Sequence, residues 1–201
     1  MAVEKRTEPA WFERLFIGRA EHIGPGERRK RLFLAFCMLV AIVTIMVMDL
    51  MSFFGNTATE LLVDGISVAV LLANFILLRI LRRGILLYRF DAFLIGSLFV
   101  YYTIMDNGIG TSVLWSLSYP LTVFYLFGRK EGLAWIAALA AALGAVIYWP
   151  DLGCSAMFGV QIKVRFTGTF VIVTVLSYGL EYLRATFEEE STRLIAELQI
   201  S

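Results

Sequence analysis

The sequence predicts an all-α membrane protein with six transmembrane helices, an interfacial helix before them and a helical extension after them. Apolar residues make up 59% of the 201 residues, whereas soluble domains contain about 45–50%. The charged residues gather between apolar runs of about 20 residues, the length that spans a bilayer. The basic residues also lie mostly on one side of these runs. Together these observations define a polytopic membrane protein.

The apolar runs place the six spans along the chain. They cover residues 32–54, 58–81, 85–105, 111–127, 133–149 and 166–182. The connections between them are short, and the longest on the outer side is "PDLGCSAMFGVQIK". Any signal from outside would therefore have to be detected among the helices or in these short loops.

The basic residues predict the orientation of the bundle. Sixteen of the 18 Lys and Arg residues precede span one, bracket the turn between spans two and three, lie between spans four and five, or follow span six. Cytoplasmic segments of membrane proteins carry this excess of positive charge. Both termini should therefore be cytoplasmic, as an even number of spans requires. The two exceptions are Lys163 and Arg165.

Three segments follow from this map. Residues 1–30 form a cytoplasmic segment, in which "PAWFERLFIGRAEHIG" is amphipathic and favours a helix on the membrane surface over a disordered basic tail. Residues 31–182 form the six-helix domain, and residues 183–201 continue span six into the cytoplasm. In that last region Leu180, Phe187 and Leu194 repeat every seven residues, with Leu183 at a second seam position, which is typical of a short coiled coil.

The fourth span is interrupted by polar residues near its middle, in "LWSLSYPLTVFYLFGRKEG". Pro120 has no N–H, so the carbonyl of Ser116 loses its helical partner. In lipid that carbonyl needs another donor, such as a neighbour, a water or a serine hydroxyl. The result is either a structural kink or a pocket with Trp115 and Tyr119 on its wall.

Ionisable and polar aromatic residues inside the spans are the candidate ligand-binding residues, because such groups are costly in lipid. The set is Asp64, Tyr101, Tyr102, Trp115, Tyr119 and Arg165. Arg165 either pairs with an aspartate such as Asp64 or Asp106, or holds an anionic head group. Nearer the cytoplasm, we expect Asp91 either to reach toward the membrane surface or to pair with Arg89 or another arginine, and Glu181 to pair with Arg184.

Enzymatic chemistry has no candidate residues in this sequence. His22 is the sole histidine and has no nucleophile near it, and no glycine-rich phosphate loop is present. Cys37 and Cys154 lie on segments that should not meet, and neither belongs to a CxxC or Cys/His cluster. We therefore expect no catalytic site, no metal, no cofactor and no nucleic-acid partner.

Two stretches resemble a known family. "SYPLTVFYLFGRKEGLAW" and "VRFTGTFVIVTVLSYGLEYLRATFEEE" are similar to helices four to six of bacterial six-helix membrane sensor domains, the MASE-type and related modules. The resemblance covers about residues 31–195. The matching residues are Pro120, Gly128, Arg129, Gly132, Arg165, Glu181 and Arg184.

The resemblance implies an input domain in the bacterial inner membrane that forms a homodimer through helix six and its extension. Such domains precede diguanylate cyclases, histidine kinases and class III adenylyl cyclases. A small hydrophobic or amphipathic ligand, or a membrane property, would be sensed among membrane lipids, and helix six would carry the signal. The residues assigned to transmission are Pro120, Glu181, Arg184, Phe187 and Leu194.

The alternative function is a small transporter or channel. That class would favour inverted repeats with a broken helix in each half, and the first three spans show no partner for the proline-broken fourth span. The length of the native gene separates the two functions, since a sensor needs a C-terminal effector.

Overall fold

The computed structural model describes residues 24–51, 58–81, 84–105, 112–149 and 158–200. The elements are α1 (Pro25–Met51), α2 (Ala58–Ile80), α3 (Ile85–Met105), α4 (Ser112–Trp115), a 3₁₀ turn (Ser116–Ser118), α5 (Tyr119–Tyr148) and α6 (Val160–Ile200). Most of the predicted interfacial helix and the predicted outer loops lie outside the described residues.

The described part of the chain contains five helices that are long and apolar enough to cross a membrane. Only 17–33% of each apolar window is buried within the chain, so most of the apolar surface of these helices faces outward. A lipid environment accounts for this, whereas water would penalise it. The all-helical membrane architecture expected from the sequence is therefore supported. The fourth of these helices, residues 113–148, contains both the fourth and the fifth predicted spans.

The chain divides into two compact units, residues 1–91 and 92–201. The first unit contains α1, α2 and the beginning of α3, and the second contains the remainder of α3 together with α4, the 3₁₀ turn, α5 and α6.

In the first unit, a buried arginine joins α1 to the end of α2. Arg31 is 1% exposed and donates hydrogen bonds to the carbonyls of Leu78 at 3.0 Å and Leu81 at 2.9 Å. The last carbonyls of a helix have no partner within the helix, and a cation is favoured at that end by the helix dipole. Glu27 lies 3.5 Å from the Arg31 guanidinium, so the buried cation also has a counter-ion.

The same cluster fixes the start of α3. The hydroxyl of Tyr88 donates to Glu27 at 2.7 Å. A Cβ on Gly84 would lie 2.7 Å from both the Glu27 carboxylate and the Tyr88 ring. Only glycine therefore fits at the turn before α3 while these two side chains keep their contact.

In the second unit, apolar side chains from α3, α4, α5 and α6, with Phe158 just before α6, form one core. Its fully packed members are Ala92, Val113, Tyr119, Val123, Phe124, Ile136, Leu139, Leu143, Ile147, Phe158, Phe166 and Phe170. The second unit thus has an apolar interior of its own.

The interruption predicted around Pro120 is present as a change of helix type. The 3₁₀ turn separates α4 from α5, and Pro120 occupies the first turn of α5, where its missing N–H costs no helical bond. The Ser116 carbonyl accepts the backbone N–H of Tyr119. The Ser116 hydroxyl donates to the Val113 carbonyl at 2.6 Å. A tighter backbone turn, rather than a serine side chain, therefore satisfies the carbonyl that the proline leaves open.

Helix α5 changes direction at Gly128, whose backbone has φ 74° and ψ −173°, a conformation that suits glycine. A Cβ on Gly132 would lie 3.2 Å from the Phe124 Cα atom, and the rings of Phe127 and Trp135 stack with centroids 6.0 Å apart. In an unbroken helix, residues eight apart are separated by about 12 Å at roughly 1.5 Å per residue. Residues 119–127, the first arm, therefore fold back against residues 129–148, the second arm.

Candidate functional site

The six predicted ligand-binding residues occupy different environments. Tyr119 is 3% exposed, and its hydroxyl donates to the Ala92 carbonyl at 3.1 Å. Trp115, four residues earlier, is 51% exposed on the outside of the unit. Arg165 is also exposed, whereas Asp64 is buried in the first unit.

The two adjacent tyrosines of α3 contact each other. The rings of Tyr101 and Tyr102 lie edge to face with centroids 5.6 Å apart. The Tyr101 hydroxyl is buried and has no hydrogen-bond partner among the described residues. Among the six predicted ligand-binding residues, Tyr101 thus contacts Tyr102, and Tyr119 is hydrogen-bonded to α3. The single cavity walled by Trp115, Tyr119, Tyr102 and Arg165 stays a prediction.

A groove of about 320 Å³ lies between α3 and the second arm of α5. Its lining residues are Ala92, Phe93, Gly96, Ser97, Val100, Tyr119, Trp135, Ala138, Leu139 and Ala142. The volume falls in the range of small-molecule sites, roughly 300–1,000 Å³. Tyr119 is the member of the predicted ligand set that lines this groove.

Sequence reasoning missed most of this groove for an identifiable reason. The alanines of the fifth span predict close helix packing, and Ala138 and Ala142 instead form one wall of an open space. Trp135 precedes Ala138 by three residues and Ala142 by seven, so all three share a helical face. That face, small residues beside one aromatic, is the signal that points to a groove.

A second set of contacts surrounds the point where α6 passes the turn of α5. The Arg184 guanidinium carbon lies 4.4 Å from the Tyr125 ring centroid, and Nη1 donates to the Tyr125 carbonyl at 3.4 Å. In the opposite direction, the Arg129 guanidinium carbon lies 5.1 Å from the Tyr182 ring centroid. Glu181 is 3.2 Å from Arg184, which confirms the predicted ion pair. We call Tyr125, Arg129, Glu181, Tyr182 and Arg184 the exit cluster.

The opposite end of α6 is held by Tyr148. Its hydroxyl donates to the Lys163 carbonyl at 3.1 Å and shares a hydrogen bond of 2.6 Å with the Thr167 hydroxyl. The Lys163 ammonium also lies 5.7 Å from the Tyr148 ring centroid. The second arm of α5 is therefore attached to α6 near its N-terminal end, and the exit cluster attaches the turn of α5 to α6 further along the chain.

Phe187 and Leu194, the two remaining residues assigned to transmission, are 64% and 54% exposed on α6.

Asp91, for which the sequence favours an arginine partner, instead accepts a hydrogen bond from the side-chain amide of Asn74, and both are buried. This contact joins α2 to α3 across 17 residues of chain. Within the described residues, no three His, Cys, Asp or Glu side chains form a group that could hold a metal ion.

Comparison with protein-family models, with curated proteins and with solved structures found no match to this chain.

Proposed function

We propose that this chain is the transmembrane input domain of a bacterial signalling protein. It binds a small, uncharged or amphipathic molecule, or responds to a membrane property, and passes the change through α6 to a cytoplasmic output domain. The observation that carries this proposal is α6 itself, one continuous helix of 41 residues. The output enzymes implied by the resemblance are a diguanylate cyclase, a histidine kinase or an adenylyl cyclase.

The length of α6 supports transmission beyond the bilayer. At roughly 1.5 Å per residue, 41 residues extend about 60 Å, whereas the hydrocarbon core of a bilayer is about 30 Å thick. Because a helix of this length is continuous, a shift or rotation of its membrane-embedded part also moves the part in the aqueous phase. The second half of α6 contains Glu188, Glu189 and Glu190, which belong in water.

The reversal of α5 at Gly128 supports a bundle of six spans. If the first and second arms each cross the bilayer, the chain has an even number of crossings. The split of basic residues then places both termini in the cytoplasm of an inner-membrane protein. Arg129 and Lys130, just after the reversal, are exposed, which suits a turn at the cytoplasmic surface.

The surface of α6 supports a homodimer. Leu180, Leu183, Phe187 and Leu194 are all more than half exposed, and they follow the predicted seven-residue seam. Apolar side chains in the aqueous part of a helix are stabilised when a second helix covers them. A second copy in parallel orientation presents the same seam, so it covers Phe187 with Phe187 and Leu194 with Leu194.

Cysteine crosslinking in membranes tests this dimer. In a background with Cys37 and Cys154 replaced by serine, we expect Phe187→Cys and Leu194→Cys to form disulfide-linked dimers. Glu189→Cys is the matched control, because residue 189 lies about 200° around the helix from 187 at 100° per residue. Equal crosslinking at 187 and 189 would contradict a parallel seam, and the proposed transmission would lose its structural basis.

A further inference from the structure

The groove of the second unit combines a hydroxyl without a partner, an aromatic side and an uncharged lining. Its residues on α3 run from Ala92 to Val100. They begin about 10 Å from the first residue of α3 at roughly 1.5 Å per residue. The groove therefore lies near the middle of a membrane-spanning helix, where a molecule enters from the lipid rather than from water.

The lining selects against charge. None of the ten lining residues is ionised at neutral pH, and an ion at this depth without a counter-charge is strongly disfavoured. The rim remains accessible, since Phe93 is 63% exposed and Ser97 and Ala138 are exposed as well. The occupant that matches this lining is an uncharged, lipid-soluble molecule.

The hydroxyl of Ser97 indicates what the occupant carries. Several helical hydroxyls bond to a carbonyl of the preceding turn, as Ser67 does to Val63 and Thr103 to Phe99, both at 2.7 Å. Ser97 has no hydrogen-bond partner among the described residues and lines the groove. A donor left unpaired at membrane depth is costly, so an acceptor on the occupant would stabilise it.

The shape of the groove indicates a flat ring. The small side chains of Ala138 and Ala142 lie on the same helical face as Trp135, so space is left beside that indole. A Cβ on Gly96 would lie 3.3 Å from the Tyr119 hydroxyl, so Gly96 and Tyr119 are in close contact and close one end of the groove. Aromatic faces favour stacked or edge contacts with another ring system.

We propose that this groove binds a molecule of the quinone class, with a ring carbonyl accepting the Ser97 hydroxyl and the ring against Trp135. The inference deepens the proposed function, since it names the ligand class of the input domain. Tyr119 begins the first arm of α5, and Tyr125 near the end of that arm belongs to the exit cluster. The seven residues of helix from Tyr119 to Tyr125 thereby join the groove to α6.

Fluorescence of Trp135 tests the site in the intact chain. A variant with Trp11, Trp115 and Trp149 replaced by phenylalanine is reconstituted in phosphatidylcholine vesicles and titrated with decylubiquinone. We expect saturable quenching of Trp135. A matched variant that keeps only Trp115, which is exposed, should show quenching that rises linearly with the quinone dissolved in the lipid. Linear quenching of both tryptophans would overturn the proposal.

Substitutions locate the binding within the groove. Ala138→Leu should remove the saturable phase, whereas Ala140→Leu, an exposed position on the same helix outside the lining, should leave it intact. Ser97→Ala removes one hydrogen bond and should weaken binding roughly 2- to 10-fold. Because Ser97→Ala adds no bulk, it still tests binding in the groove if the Ala138→Leu variant fails to fold.

Two further outcomes separate this inference from other occupants and from the proposed function. Competition of equal strength by a long-chain alkane, which has no carbonyl, would show that the groove takes a lipid chain and would overturn the quinone assignment. Saturable binding without crosslinking through Phe187 would contradict the proposed dimeric input domain only. A crosslinked dimer without saturable quenching would contradict the quinone site only.

Discussion

Each of the two units of this protein is stabilised internally by a different kind of contact. In the first unit, the buried set includes Arg31, Asp64, Ser67, Asn74 and Asp91, and Arg31 alone reaches two carbonyls of α2. In the second unit, the interior is an apolar cluster of twelve residues. Lipid tails are as apolar as leucine side chains, so helices in a membrane are joined by polar bonds or by close fit. The first unit contains buried polar bonds between its helices, whereas the second combines an apolar interior with polar contacts at Tyr119, Tyr148 and Arg184.

This difference has a consequence for function. A buried polar contact fixes one arrangement of two helices, because its alternative leaves unsatisfied groups in lipid. Packing of smooth apolar and aromatic surfaces permits small shifts, and it leaves the groove beside Tyr119. Under the proposed function, the side of the second unit that carries the groove is therefore where a ligand would alter helix positions at the lowest cost.

Arg31→Met should have the largest effect on stability. The substitution leaves the carbonyls of Leu78 and Leu81, at the end of α2, without their donor, and each carbonyl left unsatisfied costs about 1–3 kcal/mol. Glu27 also loses its counter-ion, at a smaller cost because its side chain is 37% exposed. Unfolding in mixed micelles with increasing denaturing detergent measures the loss. Lys30→Met is the control, because Lys30 is only half-buried and should change stability by less than about 1 kcal/mol. Equal losses in the two variants would mean that Arg31 is not what joins α1 to α2.

Gly132→Ala should come next and tests the reversal of α5. The added methyl group would meet the Phe124 Cα atom and the Val123 carbonyl at 3.2 Å, and backbone atoms cannot rotate away. Overpacking of this kind costs about 1–3 kcal/mol. Gly144→Ala in the same helix meets nothing within 4 Å. It should be neutral or stabilising by up to about 1 kcal/mol, because alanine is the better helix former. The same unfolding assay compares the two, and a harmless Gly132→Ala would contradict the folded-back arms.

The sequence was sufficient for the helices because the signal for them is composition over about 20 residues. It was also sufficient for the Glu181–Arg184 pair, since residues three apart on one helix are neighbours. It did not predict the Asn74–Asp91 contact or the burial of Arg31 against α2, because both depend on how two helices align along each other. That alignment has no local sequence signal.

The candidate site shows the same limit. The interruption at Pro120 was predictable from one residue's missing N–H, and Tyr119 beside it lines the groove. The exposure of Trp115 could not be predicted, because the 3₁₀ turn gives residues 115 and 119 an angular spacing that differs from that of an α-helix. The groove itself requires knowing that the second arm of α5, rather than α6, lies opposite Gly96 and Ser97.

The smallest expected effect concerns the exit cluster. We expect its two cation–π contacts to differ in coupling energy. Arg184 is 30% exposed and lies 4.4 Å from the Tyr125 ring centroid, whereas Arg129 is exposed and lies 5.1 Å from Tyr182. Cation–π contacts are worth about 0.5–1 kcal/mol when exposed and about 2 kcal/mol when desolvated. A double-mutant cycle with Arg184→Met and Tyr125→Leu should give a coupling of about 1–2 kcal/mol, and the cycle at Arg129 and Tyr182 about 0.5 kcal/mol.

The exposed ion pair of Arg193 and Glu197, at 3.0 Å, serves as the reference for both cycles. Its coupling should be no more than about 0.5 kcal/mol, since water screens both charges. If the Arg184–Tyr125 coupling does not exceed this reference, the turn of α5 and α6 are not held together by the exit cluster. In that case the first arm of α5 is joined to α6 by apolar contacts, such as the edge contact of Phe124 with Tyr178, whose ring centroids are 5.7 Å apart. An effect confined to Arg184 and Tyr125 would instead show that the first arm of α5, and not the second, holds α6 at the exit cluster.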